Sequence, residues 1–328
     1  MSDTNEAPLL PKGAIVTMIK TRDRVNLRVA RWTVPAPSAG TVAIIEGRAE
    51  FVEKYCEVVA ELMERGFDVV VFDWRGQGLS DRLLRNRRKG HISSFRAYRT
   101  DLDALRDEIL EPFCPRPWFA LGHSMGGAIL LDQAHDGDSP FARIVLTAPM
   151  IDLHGLRFPR FTHRLTHFLA GIGLGRAFIP GGSGKSYMLK GFEGNLLTSD
   201  PVRHARTAAF AEANPDLVIG DPTIGWVSAA FHLMRRFENF TYPLEITIPV
   251  LIFAAGHDRL VHTGAAQTFA NRLKCGRSLT IPGSSHEILM ERERFRELFW
   301  AAFDAFIPGE AKADAEPLPG SALATGWR

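Results

Sequence analysis

Two kinds of hydrophobic pattern alternate along this chain, and together they outline its fold. Short apolar runs lie at Ala14–Lys20, Val25–Trp32, Thr41–Ile45, Pro117–Leu121, Ile144–Ala148, Pro249–Ala255 and Arg277–Ile281. Each has the length and the aliphatic, β-branched content of a strand. Between them lie stripes at helical spacing: Phe51, Tyr55, Val58 and Leu62; Tyr98, Leu102, Leu105 and Ile109; and Phe295, Leu298, Phe299, Phe303 and Phe306. Such a stripe puts one apolar face of a helix against a core. The first two strands follow each other directly and read as an antiparallel edge. The later alternation of strand and helix predicts an α/β fold with a mostly parallel central sheet and helices on both faces.

One interval breaks the alternation. From about residue 150 to the strand at Pro249 lie roughly a hundred residues, too many for an ordinary connection, so 151–248 is expected to fold as an inserted element. The catalytic core is then expected at 13–150 and 249–307, after a loose polar stretch at 1–12 and before a disordered tail at 308–328, rich in Ala, Pro, Gly and acids. Within the insertion, Leu156, Phe158, Phe161, Leu165, Phe168, Leu169 and Ile172 interleave with Arg157, Arg160 and Arg164. That surface suits an anionic interface, or it packs the insertion onto the core; the pattern leaves both open.

Composition narrows the partners. The 328 residues, 45% of them hydrophobic, are enough for one large core plus an insertion, and a net charge of +2 points to no nucleic acid. Cys56, Cys114 and Cys275 are isolated and odd in number, which suggests a reducing compartment or simple core packing. The first residues lack the basic and apolar regions of a signal peptide, and no uncharged apolar run reaches the ~18–20 residues of a membrane span. A cytoplasmic location is expected. The basic cluster Arg82, Arg85, Arg87, Arg88, Lys89, Arg96 and Arg99 could attract a membrane surface or could be a solvated loop and helix face.

The chemistry is concentrated at Gly122-His123-Ser124-Met125-Gly126-Gly127, set between a strand and a helix-forming run at Ala128–Ala134. This is a G-x-S-x-G nucleophile elbow, in which a strained serine needs small neighbours, here Gly122 and Gly126. On such an elbow the serine is served by an acid and then a histidine later in the chain. Asp258, in Gly256-His257-Asp258 after one strand, and His286, after another, stand in that order. Asp152, which follows an earlier strand, is the rival acid. The oxyanion is expected between the backbone N–H groups of Met125 and of Arg48, in the turn Glu46-Gly47-Arg48. Three lookalikes are set aside. Gly181–Ser186 mimics a phosphate loop, but Ile179 stands where its first glycine belongs and no strand precedes it; a flexible turn is expected. His163 and His167 lack the glutamate of a zinc motif, and His123 is read as a packing residue.

Taken together, Gly47-Arg48, Lys54-Tyr55, Asp73–Ser80, Gly122–Gly127, Leu146–Met150, Asp221-Pro-Thr and His286–Leu289 resemble the serine α/β-hydrolases of the monoglyceride-lipase and bacterial lysophospholipase type. The resemblance runs from about residue 41 to 295. It implies an α/β-hydrolase fold in which 151–248 is a lid over the nucleophile. It also implies a cofactor-free, metal-free enzyme that releases a fatty acid from a lysophospholipid or monoacylglycerol through an acyl-enzyme. A short-chain carboxylesterase or thioesterase is the alternative, and a non-catalytic binding protein the more distant one. Peripheral membrane contact would run through Arg82–Arg99 and the lid. Glu46 stands where the monoglyceride-lipase type has His and the lysophospholipase type often Pro; it is expected to point outward or to pair with Arg75.

Overall fold

The computed structural model describes residues 10–155 and 159–308. Eight strands form one sheet: β1 (Ile15–Lys20), β2 (Asn26–Trp32), β3 (Thr41–Ile45), β4 (Asp68–Phe72), β5 (Trp118–His123), β6 (Arg143–Thr147), β7 (Val250–Ala255) and β8 (Gly276–Ile281), in the order β1-β2-β4-β3-β5-β6-β7-β8. β1 and β2 pair antiparallel, as does β2 with β4, and every later pairing is parallel. The expected sheet and its antiparallel edge are both present. Every residue of β3, β4, β5 and β7 is buried, as befits strands covered on both faces.

Alternation along the strands feeds two cores. Ala43, Ile45, Val70 and Phe72 face one side, against α2 (Arg96–Leu105) and α4 (Met125–His135). Val42, Ile44, Val69 and Val71 face the other, against α1 (Cys56–Glu64) and α9 (Glu293–Phe306). α2 continues through a π turn at Arg106–Leu110 into the short α3 (Glu111–Phe113), and α8 (Thr263–Ala270) joins β7 to β8. The helical stripes are core-facing with one exception: Leu298 of α9 is 53% exposed, because the buried arc of that helix runs through Phe295, Phe299, Trp300 and Phe303 instead. At the start of the described chain, Leu10 packs on the second core and Pro11 accepts a hydrogen bond from Trp32 Nε1 at 3.0 Å. That stretch is therefore anchored from residue 10. The expectations for residues 1–9, for Leu156, Arg157 and Phe158, and for 309–328 lie outside the described residues.

The long interval between β6 and β7 holds α5 (Pro159–Gly171), α6 (Pro201–Ala213) and α7 (Ile224–Phe237). Local chemistry sets where two of them start. Asp200 caps α6 by accepting from Val202 and Arg203 N–H, with Pro201 in the first turn, and Thr223 caps α7 through Trp226 N–H. The α6 half is riveted to the body: Arg203 meets Glu57 at 2.5 Å, Thr198 Oγ1 donates to Met290 O at 2.7 Å and Ser199 Oγ to Glu291 at 2.5 Å. α7 buries Ala230, Leu233 and Phe237 in the main core, and α5 packs on α7. α5 has Phe161 and Phe168 exposed at 65 and 61%, and Ile172, just past its end, is exposed at 57%.

Candidate active site

Parallel pairing brings the ends of β3, β5 and β6 to one edge, with Ile45 beside Gly122 and His123 beside Thr147. At that edge the chain turns sharply from β5 into α4, and Ser124 sits in the turn at φ 47°, ψ −111°, a strained conformation for a residue with a Cβ. The sequence permits the turn because Gly126 lets the backbone of β3 approach: a Cβ there would collide with the carbonyl oxygens of Ile45 and Glu46. A Cβ on Gly122 would press on Leu130 and Leu146. Serine at a helix start commonly caps the helix with its own hydroxyl. Here the hydroxyl makes no cap hydrogen bond.

Instead, Ser124 Oγ lies 3.0 Å from His286 Nε2, and His286 Nδ1 lies 2.7 Å from Asp258 Oδ2. Asp258 and His286 come from the loops after β7 and β8, so the three groups predicted from sequence converge across the edge. The other Asp258 oxygen accepts from Leu260 and Val261 N–H at 2.8 and 3.0 Å. Burial pushes the Asp258 carboxyl up, but the hydrogen bond and charge attraction of His286, with these two N–H groups, outweigh it and hold it below its ordinary value. The rival Asp152 is exposed and accepts from its own neighbour, Leu153 N–H, at 2.9 Å; it does not touch His286. This line of groups can move a proton from the hydroxyl to an imidazole braced by a carboxylate.

Two backbone donors complete the arrangement. The N–H of Met125, first residue of α4, and that of Arg48 have no protein acceptor among the described residues, whereas those of Ser124, Gly47 and Ala49 do. Gly47 N–H donates to Glu50 Oε2 at 2.5 Å and Ala49 N–H to Gln77 Oε1 at 3.1 Å, which hold the turn in shape around Arg48. Free N–H groups at a helix start attract developing negative charge.

The support behind this turn was not read from the sequence. Glu50 also accepts from Tyr55 Oη at 2.7 Å and pairs with Lys54 Nζ at 2.6 Å; Lys54 in turn meets Glu287, next to His286, at 2.6 Å. All four side chains are buried. Burial alone would raise the Glu50 carboxyl, but attraction to Lys54 and the hydrogen bonds from Lys54 and Tyr55 hold it low; burial alone would lower the Lys54 ammonium, but Glu287 and Glu50 raise it. The i,i+4 spacing of Glu50 and Lys54 was the available signal. His123 is buried, with its ring 4.9 Å from that of His286 and Nδ1 at 3.0 Å from Thr147 Oγ1. Burial, aided by the neighbouring His286, lowers it to about 3, so it stands as a neutral imidazole beside that of His286.

Glu46 corrects the expectation placed on it. It neither points outward nor pairs with Arg75: it is fully buried, both its carboxylate oxygens are without partners, and Arg75 is committed to Asp101 and Asp23 at 2.7 and 2.6 Å. Alternation along β3 explains this, because residue 46 follows Val42 and Ile44 into the second core. Burial, then the nearby charges of Asp73 and Glu50, raise its carboxyl well above the ordinary value. Much of the basic stretch is also spoken for. Arg82, Arg88 and Lys89 donate to the carbonyls of Asp216, Val218 and Arg176, and Arg99 pairs with Asp136 and Asp138 at 2.8 and 2.7 Å. Arg85, Arg87 and Arg96 remain exposed. The turn at Gly181–Ser186 is pinned, with Ser183 N–H on Asp221 at 2.8 Å, and His163 rests edge-on against Phe231.

Two cavities meet at Ser124. One, about 410 Å³, is walled by Tyr187, Lys190, Glu193, Asn195 and His204; the other, about 330 Å³, by Met125, Met150, Leu153, Trp226 and Val261. Arg48, Ser124, Leu260 and His286 border both. No group of three or more metal-ligating side chains occurs among the described residues, and no helix among them is long and apolar enough to cross a membrane.

Known proteins are similar to this chain. The family profile described as serine aminopeptidase, S33, matches residues 36–293. Lysophospholipase L2 of Escherichia coli K12 is 33% identical over 267 residues, 78% of this chain and 77% of that protein. A probable lysophospholipase L2 of Haemophilus influenzae is 27% identical over 86% of this chain and 89% of its own length. Among solved structures, a soluble variant of the monoglyceride lipase of Saccharomyces cerevisiae, in complex with a substrate analog, superposes with a TM-score of 0.71 at 19% identity, covering 92% of this chain and 99% of that one. The chain therefore belongs to this family of α/β-hydrolases, with the bacterial lysophospholipases and monoglyceride lipases among its relatives.

Proposed function

We propose that the chain hydrolyses the acyl ester of a single-chain lipid, a lysophospholipid or a monoacylglycerol, with Ser124, His286 and Asp258 as its catalytic triad. The observation that carries this reading is the continuous line from Ser124 Oγ to His286 (3.0 Å) to Asp258 (2.7 Å), facing two unengaged backbone N–H groups. Ser124 attacks the ester carbonyl as His286 Nε2 takes its proton. The charge that develops on the carbonyl oxygen is held by Arg48 and Met125 N–H. His286 returns the proton to the leaving alcohol, leaving the acyl group on Ser124. Water, deprotonated by the same imidazole, then releases the fatty acid and restores the serine. The relatives named lysophospholipase support the lipid substrate, and so does a cavity lined by methionine, leucine, valine and tryptophan beside the serine. The test is fatty-acid release from a long-chain lysophospholipid and the matched monoacylglycerol by wild type and by Ser124→Ala. Release that depends on Ser124 supports the reading. Cleavage of short-chain esters alone would leave the triad and remove the lipid.

In this reading 151–248 is a lid, fixed through α6 and presenting α5 outward. The exposed stripe Phe161, Leu165, Phe168 and Ile172, with Arg160 and Arg164 and no acidic residue along the helix, suits peripheral contact with an anionic membrane. Exposed Arg85, Arg87 and Arg96 add to that charge, and three unpaired cysteines fit a cytoplasmic setting. Co-sedimentation with vesicles containing phosphatidylglycerol, weakened by Phe161→Ser and Phe168→Ser together, checks the contact. Equal sedimentation of the double variant would remove it.

A further inference from the structure

We propose that the side chain of Arg48 receives the phosphodiester of a glycerophospholipid head group and so selects lysophospholipids over neutral monoacylglycerols. The proposal rests on the ester-hydrolase reading above and sharpens it.

Arg48 borders both cavities, along with Ser124 and His286, and its guanidinium reaches from there to Gly220 and the face of Trp226, which lines the second cavity. A substrate whose ester carbonyl lies at Ser124 must send its acyl chain one way and its glycerol the other. A phosphate three carbons beyond the ester then falls within the neighbourhood of that junction. The apolar cavity suits the acyl chain; the one walled by Lys190, Asn195 and His204 suits the head group.

What marks Arg48 is that its charge has no partner inside the protein. Nη2 donates to Gly220 O at 2.8 Å and the guanidinium lies over the Trp226 ring at 5.1 Å, but Nε is buried with no acceptor. No carboxylate forms an ion pair with it among the described residues. The carboxylate that acts on it is that of Asp221, which is itself engaged by Ser183 N–H; the phenols of Tyr98 and Tyr187 nearby are neutral, since burial raises both. Burial lowers the guanidinium to about 10, which still leaves it charged at neutral pH. Buried arginines are ordinarily paired, since an uncompensated charge out of water is costly. The charges of Glu50 and Glu287 are matched by Lys54 and that of Asp258 by His286, whereas the half-buried Arg48 has no such match.

A phosphodiester supplies the missing countercharge through charge-assisted hydrogen bonds, for which the planar guanidinium is well suited. A monoacylglycerol brings only hydroxyls and leaves the cation uncompensated once the cavity is filled. Lys190 and Glu193, both exposed on the wall of the cavity beside Tyr187, extend the match: the ammonium of Lys190 can meet the phosphate, and Glu193 a head-group amine.

The rival role for Arg48 is that of a clamp, tying the turn after β3 to Gly220. The two roles separate in a ratio. We would measure kcat/KM for lysophosphatidylethanolamine, lysophosphatidylglycerol and the monoacylglycerol of the same chain, below their micelle concentrations, with wild type, Arg48→Lys and Arg48→Met. Wild type is expected to favour both lysophospholipids. Arg48→Met should lower the ratio of lysophospholipid to monoacylglycerol kcat/KM by about ten- to a hundredfold, mainly through KM, with Arg48→Lys between. Losses through the oxyanion turn or the Gly220 tie fall on all three substrates and cancel. An unchanged ratio in Arg48→Met overturns the proposal. So does a wild-type preference for the monoacylglycerol, which needs no variant to fold. Wild type that cleaves none of the three lipids defeats the underlying hydrolase reading as well.

Discussion

Glu50 and Glu287 share one ammonium. Lys54 Nζ lies 2.6 Å from a carboxylate oxygen of each, and through it the turn carrying Arg48 N–H is joined to the loop carrying His286. Glu50 in turn holds Gly47 N–H, so a single buried cation braces both the turn before Arg48 and the loop of His286.

Removing that cation strands two buried carboxylates. Lys54→Met is expected to lose about 3–5 kcal/mol of stability in urea unfolding, as when one partner of a buried pair is deleted. The folded fraction should also lose kcat for every ester tested. A variant with near wild-type stability and kcat would show that the link is incidental.

The choice of acid is checked by two neutral replacements. Asp258→Asn should lower kcat by about 10⁴, the scale for a triad carboxylate exchanged for its amide. Asp152→Asn should leave kcat within a few-fold. Reversed effects would assign the acid to the loop after β6.

The elbow stores strain that glycine relieves. Ser124 has φ 47° and makes no cap, so Ser124→Gly and Ser124→Ala both lose the hydroxyl but only the former loses the Cβ penalty. Thermal unfolding should find Ser124→Gly more stable than Ser124→Ala by about 1 kcal/mol. Equal stability would mean that the turn is unstrained.

Glu46 makes stability depend on pH in an uncommon direction. Its carboxyl binds a proton more tightly folded than unfolded, because burial and the charges of Asp73 and Glu50 oppose ionisation. Its contribution is therefore fully present below the unfolded value of about 4.5 and is lost as pH rises toward the folded one. Glu46→Gln, isosteric with the protonated acid, has no such loss. Urea unfolding from pH 5 upward should show the variant gaining on wild type by up to about 1.4 kcal/mol per pH unit. A gap that does not change with pH would mean that Glu46 ionises as freely folded as unfolded.

What could be read in advance was local. Gly122, Ser124 and Gly126 lie within five residues between a strand and a helix, and Asp258 and His286 each follow a strand, so short windows carried the site. The structure brings all three side chains together where that reading put them. Partnerships across the chain were not legible. Lys54 and Glu287 are 233 positions apart, and Arg82, Arg88 and Lys89 reach carbonyls more than 85 positions away. No periodicity encodes such contacts. Glu46 was missed for a related reason: strand alternation puts it in the core, but its carboxylate argued for solvent. Leu298 is the converse, an apolar residue whose helix buries a neighbouring arc.

The most direct test of the account is the site of covalent reaction. Intact-mass and peptide analysis after treatment with a long-chain fluorophosphonate should find one adduct, on Ser124, in wild type and none in Ser124→Ala. An adduct on another residue, or lipid hydrolysis that survives in Ser124→Ala, would contradict it.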